Sequence, residues 1–451
     1  MKCETLGKYI ISRMKKTFQI LSIIALTLLS AGSVKAQYLS ASDSAFNAGN
    51  QMTGRIWGLV FGDYYYKSHA DVLNRGGSNQ YSGIPRNNNA FQMRRIWLGY
   101  DYNFNKKFSS EVLMAAEDNS PAGNPPTSAS ASGDELLNNK LAFYVKLANL
   151  RIKNLWTGTD LVIGQQATPA FGRSSDKTWS YRSIEKTLID IRRTAAYDLG
   201  VGLQGTFDPK TQNYGYNLLV ANGSGAKPAS SNYKWIYGDV WAKFFNQKLL
   251  VEVFADYYRL NWTDTWHHSR QMVKGFVGYT ASSFTVGVDG FLNNLKQDAF
   301  ATRISNNQVD TLNSVASGVS AFVHGDIIKG KLRFFARYDH YTPTNKIDNN
   351  KYNKYVLNTS NYNDNSYSSV AAPGAAAVST GDQTYTQSFI TLGLDFMPAK
   401  NIHIMPNIWY NHYSTQLSDD LNNAANGDMS GRAKGDYDLV YRVTFYYVFG
   451  K

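Results

Sequence analysis

Six basic residues, Arg173, Lys177, Arg182, Lys186, Arg192 and Arg193, fall between positions 168 and 196 against three acids, Asp176, Glu185 and Asp190. A net charge of +3 over so short a stretch favours anions wherever it borders a narrow aqueous passage, because low-dielectric walls focus its field. The other reading of the same residues is an external loop whose charges are solvated. What flanks the stretch is regular. Leu161-Val162-Ile163-Gly164-Gln165-Gln166 reads as a short strand that breaks at Pro169. Beyond it, Tyr197, Leu199, Val201, Leu203, Gly205 and Phe207 recur at every second position, the period of a strand with one apolar face. Two strands therefore hold the basic segment between them, and positions 183–193 have the length of a short helix.

Other chemistry is hard to assemble. Nucleophilic catalysis needs a Ser, a His and an orienting polar group within mutual reach. His69, His267, His268, His324, His340, His403 and His412 stand apart in the sequence, with no obvious Ser partner expected on a neighbouring strand. His267 and His268 sit beside Trp262 and Trp266, a composition suited to a membrane-interface girdle rather than a metal site. Cys3 is the only cysteine, so a mature chain without the leader has neither disulfides nor thiolate ligands. No catalytic residues, metal ligands or cofactor are called for.

Tyr contributes 31 residues and aromatics 14%, while the mean hydropathy is −0.37. Strand formers are thus plentiful, yet no segment reads as a water-excluding core. The formal charge is +12, but the first 36 residues alone supply six Lys/Arg against Glu4. The remaining charge is scattered, with no basic helix or nucleic-acid-binding motif, so nucleic acid is not an expected partner. Lys15-Lys16, the apolar run from Ile20 to Leu29 and Ser33-Val34-Lys35-Ala36 form an export signal over 1–36, with Met14 as an alternative start. That run is too short to span a bilayer. Residues 37–51 read as a short periplasmic lead-in.

From 52 to 451 an alternating segment, a long polar connection, a second alternating segment and a tight turn follow one another repeatedly. In the second strand Ile96, Leu98, Tyr100 and Tyr102 oppose Arg95, Trp97, Gly99 and Asp101. In the last, Tyr437, Leu439, Tyr441, Val443, Phe445, Tyr447 and Phe449 share one face. About sixteen strands are expected, with long and short connections alternating throughout. That sorting predicts an all-β fold, a transmembrane antiparallel β-barrel with its turns in the periplasm and its loops outside. The polar faces then line water. On them fall Arg95, Lys243, Arg333, Arg337 and Arg442, together with Asp101, Glu111, Asp239, Glu252, Asp256, Asp289, Asp339 and Asp438. Opposed signs across a pore orient dipolar solutes and leave only mild net selectivity.

Several short motifs resemble the phosphate-selective porin O and P family. They are Gly54-Arg55, Phe91-Gln92-Met93-Arg94-Arg95, Ile163-Gly164-Gln165 with Pro169 and Phe171-Gly172, Ser183-Ile184-Glu185-Lys186, Leu199-Gly200-Val201-Gly202-Leu203 and Asn222-Gly223. They cover positions 52–225 and occur in the family's order. Where the family usually carries a lysine before its Pro-Phe-Gly, this chain has Ala167 and Thr168, and Ala170 is an extra residue. The resemblance implies a sixteen-stranded, homotrimeric outer-membrane channel of a Gram-negative bacterium for small hydrophilic or anionic solutes. The third long loop, 168–196, would fold inward as the constriction. Together these readings give a passive porin with a mild preference for anions, phosphate among them, and no enzymatic activity. A surface receptor or adhesin and a barrel lipase are the other classes open at this point.

Overall fold

The computed structural model describes residues 53–71, 80–81, 84–117, 136–137, 140–170, 172–191, 195–225, 229, 232–346, 348, 350–357, 385–414 and 435–450. The export signal, the lead-in, Arg192 and Arg193 lie outside the described residues, as do most of three long connections.

Nineteen strands are present among the described residues. The first seven are β1 (Thr53–His69), β2 (Asn89–Asn103), β3 (Phe108–Glu117), β4 (Leu136–Leu137), β5 (Lys140–Leu141), β6 (Tyr144–Trp156) and β7 (Thr159–Ala167). Then come β8 (Tyr197–Thr206), β9 (Tyr214–Ala221), β10 (Trp235–Phe244), β11 (Leu249–Trp262), β12 (His267–Thr280) and β13 (Phe284–Arg303). The last six are β14 (Val309–Ile328), β15 (Leu332–Thr342), β16 (Tyr352–Leu357), β17 (Thr386–Ala399), β18 (Ile402–Ser414) and β19 (Gly435–Phe449). Sixteen of them close a ring of antiparallel neighbours. β19 returns to β1, with Gly62 opposite Phe445 and Tyr66 opposite Tyr441. β4 and β5 make a separate small hairpin, and β16 adds to β13 beyond the ring. Closure leaves no open edge, so every ladder group finds a partner without water, as lipid requires.

The alternation read from the sequence is the physical basis of the wall. On β12, Val273 and Val277 are 53% and 48% exposed, while Met272, Lys274 and Phe276 between them are at most 1% exposed. The outward apolar set and the inward polar and aromatic set persist round the ring, so the outer surface is a continuous apolar band and the charges are inside. β1, whose faces are ambiguous in the sequence, alternates at Ile56/Trp57 and from Asp63 to Tyr66, whereas Trp57 to Asp63 are buried on both faces. Trp57, Phe61, Asp63 and Tyr65 are buried, and Ile56, Tyr64 and Tyr66 are exposed.

Two expectations need correction. The connections do not alternate long and short throughout, because β11–β12 and β13–β14 join through 263–266 and 304–308. At those places the strands run on as hairpins where long loops are expected, and β13 and β14 reach 20 residues each. Leu141, Phe143, Val145 and Leu147 alternate as a strand starting at 141 would, yet the strand begins at Tyr144. β-Bulges also break the strict period. One at Phe61/Gly62 pairs Phe61 with Arg95 and Gly62 with Met93, leaving Arg94 as the additional residue. Arg94 and Arg95 are consequently both buried.

Gly164 shows how closely the wall is fitted where the basic segment departs. Its φ is +123°, and a Cβ there would lie 2.4 Å from the Ala148 carbonyl oxygen, so only glycine is accommodated.

A charge on the outward face should be costly in proportion to its depth. Val443→Arg, in the middle of β19, is expected to lower the free energy of unfolding from lipid vesicles by about 2–4 kcal/mol. Urea titration by tryptophan fluorescence measures it; an unchanged midpoint would place β19 with the opposite face outward.

Candidate functional site

Segment 168–196 leaves the sheet after β7 and returns to β8, its direct neighbour. Thr168 closes the base: its amide donates to the Ala196 carbonyl at 3.1 Å and its hydroxyl to that of Ala195 at 2.6 Å. On the return side Asp198 accepts from the amides of Leu199 and Gly223 and from the Tyr237 hydroxyl. The segment contains a π-helical turn over Gly172–Trp179 and one α-helical turn over Leu188–Ile191, rather than a single helix over 183–193.

Its partners lie on strands remote from β7 and β8, and they are the inward-facing side chains of those strands. Lys274 of β12 donates to the Ala170 carbonyl at 2.6 Å, and to Ser174 and Glu252 at 3.3 and 3.2 Å. His324 of β14 donates through Nε2 to the Thr178 carbonyl and accepts at Nδ1 from Arg333. Tyr181 donates to Asp395 of β17, and burial, then the nearby carboxylate, raise the pKa of its hydroxyl. Trp409 of β18 donates to Glu185 at 2.8 Å.

The tightest attachment falls on Ser183-Ile184-Glu185-Lys186. Arg94 of β2 donates to the Ser183 carbonyl at 3.4 Å, and Arg442 of β19 donates to that of Ile184. Arg337 of β15 donates to the carbonyls of Glu185 and Lys186 at 3.1 and 2.6 Å. Four successive carbonyls are thereby taken by three guanidinium groups from three strands. Guanidinium suits the task, since its fork of donors remains charged and can serve a carboxylate and a carbonyl at once. Arg337 also contacts Asp339 at 2.9 Å and Arg94 contacts Asp63 at 3.5 Å.

Apolar contacts complete the attachment. Leu188 and Ile189 pack with Trp235, Tyr237, Phe254 and Met272, while Trp179, Tyr181 and Ile184 pack with Phe276, Phe322, Phe335 and Met405. On this side the inside of the ring is a packed core. That was not expected of polar faces lining water throughout.

The expected pore residues divide accordingly. Arg337 and Arg442 are buried beneath the segment as its anchors rather than lining water. Arg173 pairs with Asp239 at 3.3 Å and lies over the Trp241 ring at 4.1 Å. Lys243 lies over the same ring at 5.2 Å, and both Arg173 and exposed Lys177 act on it electrostatically. Arg182 pairs with exposed Asp176 at 3.0 Å. Arg95 pairs with Glu117 at 3.0 Å, and Lys186 is within electrostatic reach of that carboxylate. Asp101 pairs with Arg55 at 2.6 Å, Glu111 accepts from Asn149 at 3.4 Å, and Arg333 pairs with Asp326 at 3.1 Å.

Several members escape sequence reasoning. Arg94 is hidden by the bulge. Lys146 reaches Glu117 at 2.7 Å and rests 4.9 Å from the centre of the Trp97 ring. Lys274 looks like any other polar-face lysine. Residues of the first long connection also enter: Tyr81 donates to Asp63 at 2.9 Å, accepts from Arg442 at 3.1 Å and packs with Ile84, Tyr65 and Trp409. Burial, then Asp63, raise the pKa of the Tyr81 hydroxyl and keep it a donor. A signal was present there, since Tyr81 and Ile84 are the large apolar residues of the otherwise polar stretch 74–89. Contrary to expectation, His340 of β15 does meet a serine on the neighbouring strand, Ser388 of β17 at 3.0 Å, and a Ser/Asp/His grouping lies at the far end of β12–β14. Both His268 and Ser314 bond to Asp298, so the acid stands between them and the imidazole is not positioned to take the serine proton.

No protein-family profile and no curated protein matches the sequence. Solved structures of similar shape include the outer membrane channel DcaP of Acinetobacter baumannii, at 10% identity over 92% of this chain and 100% of that one, TM-score 0.53. An anion-selective porin from Comamonas acidovorans matches at 11% identity over 88% and 100%, TM-score 0.51. Outer-membrane expressed OmpT of Vibrio cholerae matches at 12% identity over 89% and 99%, TM-score 0.50. The fold is that of a sixteen-stranded porin barrel. Such low identity carries the architecture alone.

Arg337→Ala would leave two carbonyls and Asp339 without their buried partner. Losing one member of such a pair costs about 3–5 kcal/mol. The expected outcome is a destabilised barrel and faster protease cleavage within 168–196, read by gel after timed digestion. Arg337→Lys, able to keep the Asp339 pair but not both carbonyls, should fall between.

Proposed function

We propose that the chain is a passive outer-membrane channel of a Gram-negative bacterium for small hydrophilic solutes, with a mild preference for anions, phosphate among them. Segment 168–196 is its constriction. The observation that carries this reading is the distribution of charge around the segment. Arg94, Arg337 and Arg442 are taken up in holding it, whereas Arg95, Lys146 and Lys186 gather round the single carboxylate of Glu117. Arg173, Lys177 and Lys243 form a second cationic group around Trp241. Across from the packed side, Glu111, Asn149, Arg151 and Asp160 on β3, β6 and β7 are only half-buried, so the passage runs between that wall and the segment. A solute crossing there meets more positive than negative side chains at the narrowest level, which favours anions without excluding cations.

The reading carries no catalysis, and nothing in the site favours a lipase or an adhesin over a channel. The family resemblance brings with it a homotrimer, to be checked by light scattering of the detergent-solubilised protein. Phosphate is included because clustered cations serve any small oxyanion; the residues do not single it out.

The test is the reversal potential of the purified full chain in planar bilayers under a KCl gradient. Chloride should permeate in preference to potassium, and Lys177→Glu with Lys186→Glu should move the potential toward cation preference. A cation-selective native channel, or a double variant with unchanged potential, ends the proposal.

A further inference from the structure

Nearly every cation inside the ring has a carboxylate or carbonyl partner, but a group on the outside does not. β11 places Arg259 opposite Ser269 of β12, and Ser269 lies opposite Lys296 of β13. The alternation of exposure puts all three on the outward face, where Arg259 and Lys296 are exposed and Ser269 is covered. Ile236 of β10 pairs with Tyr257, so the same register brings exposed Lys234 level with Arg259. Among the described residues, none of these three cations is paired with an acid. With strands about 4.8 Å apart, Arg259 and Lys296 stand roughly 10 Å from each other, flanking Ser269.

Height matters here. Ser269 precedes Thr280, at the opposite end of β12, by eleven residues. At the usual strand tilt that is a rise of roughly 25 Å, the height of a barrel's apolar band. The row therefore lies at the boundary between hydrocarbon and headgroups, at the end of the barrel that bears the long connections. Aromatic side chains mark the same level. Arg259 lies over the rings of Trp262 and Tyr233 at 4.5 and 5.7 Å, and Trp262 stacks on His267 at 4.5 Å.

Directly below, toward the middle of the band, the outer surface is dented. A groove of about 430 Å³ is lined by Val273, Gly275, Gly290, Leu292, Ser317 and Val319. It exists because two glycines face each other there, Gly275 opposite Gly290. A Cβ at Gly275 would meet nothing within 4 Å, and one at Gly290 would meet only the Gly318 carbonyl oxygen at 3.5 Å. Neither glycine is needed for packing, so the dent is open to lipid.

The geometry points to a binding site for a phosphorylated lipid of the outer leaflet on the outward face of β10–β13. Its phosphate is held between Arg259 and Lys296, with Lys234 alongside, and an acyl chain lies in the groove over Gly275 and Gly290. The charge argument selects the occupant. Three unpaired cations facing a headgroup layer call for a counter-charge, and guanidinium takes phosphate through two parallel hydrogen bonds. A second copy of this chain is the other occupant of such a face, and the oligomeric state of the Arg259→Gln plus Lys296→Gln variant tells the two apart. The site is independent of what crosses the channel.

Native mass spectrometry of the full chain in detergent tests this, with diphosphorylated lipid A, its dephosphorylated form and inorganic phosphate as probes. The expected result is retention of the diphosphorylated lipid, with Arg259→Gln plus Lys296→Gln weakening it by about tenfold or more. Gly290→Leu, which fills the groove without touching the cations, should weaken it as well. Both variants should keep the channel conductance of the native protein. Equal retention of the dephosphorylated lipid, displacement by inorganic phosphate at matched concentration, or unaltered binding by both variants would overturn the proposal. So would loss of an oligomer in the double variant, which would make the face a contact between copies.

Discussion

A peptide segment that enters the inside of a barrel must find a partner for every backbone group it buries, because a buried carbonyl without one costs free energy comparable to a lost hydrogen bond. Segment 168–196 has too little regular secondary structure to satisfy itself. The barrel meets the demand with guanidinium groups: Arg94, Arg337 and Arg442 converge from β2, β15 and β19 on the carbonyls of residues 183–186. Because those strands lie at separate places round the ring, β2 three strands from β7 and β15 nearly opposite it, the attachment fixes where the segment runs. It also fixes which part of the interior is packed and which part is left for solute. Removing the segment would uncover Trp235 and Trp409, both now fully buried. The anchors and the apolar packing therefore support each other.

The same requirement changes how inward charge should be counted. A tally of polar-face residues treats Arg337 and Arg442 as equivalent to Arg95 or Lys243. In three dimensions the first two are occupied by carbonyls and by Asp339, Asn407 and Tyr81, and have little reach into the aqueous part. Acids such as Glu252 and Asp339 are likewise covered. The charges left beside the half-buried wall of β3, β6 and β7 are Glu111, Arg151, Lys153 and Asp160, with Arg151 and Asp160 paired, while Lys146 of the same wall is occupied by Glu117.

The architecture was legible because lipid outside and polar groups inside impose a period of two that a single sequence displays. Tyr437 to Phe449 gives β19 its outward face, and short turns such as the one at Gly330 give strand order and direction. Three features were not legible, each for a physical reason. A bulge adds one residue without leaving a compositional mark, so Arg94 reads as outward. The hairpin of β13 and β14 carries Lys296, Gln297 and Asp298 at a register shift between Leu295 and Ala299, which breaks the alternation, so its upper part reads as loop. Contacts between a segment and a wall up to 258 residues further along the chain, as between Ile184 and Arg442, leave no local pattern at all. The basic segment itself was identifiable from its charge and from the strands that bracket it, but its anchors were not.

The two faces of the wall also divide the work of charge. Inside, cations and acids are placed as neighbours, which satisfies both where water is scarce and leaves a modest residual field. Outside, a charge has no such neighbour and is tolerated only where headgroups begin, which is where Arg259, Lys296 and Lys234 stand. Below that level the outward positions of β12 and β13 pass to valine, glycine and leucine within a few residues. An unpaired cation on the outer face is therefore informative in a way that an inward one is not. Arg259 donates to the Tyr257 hydroxyl and lies over the Trp262 and Tyr233 rings, and the register that aligns it with Lys234 and Lys296 leaves a row of cations without an acid across β10–β13.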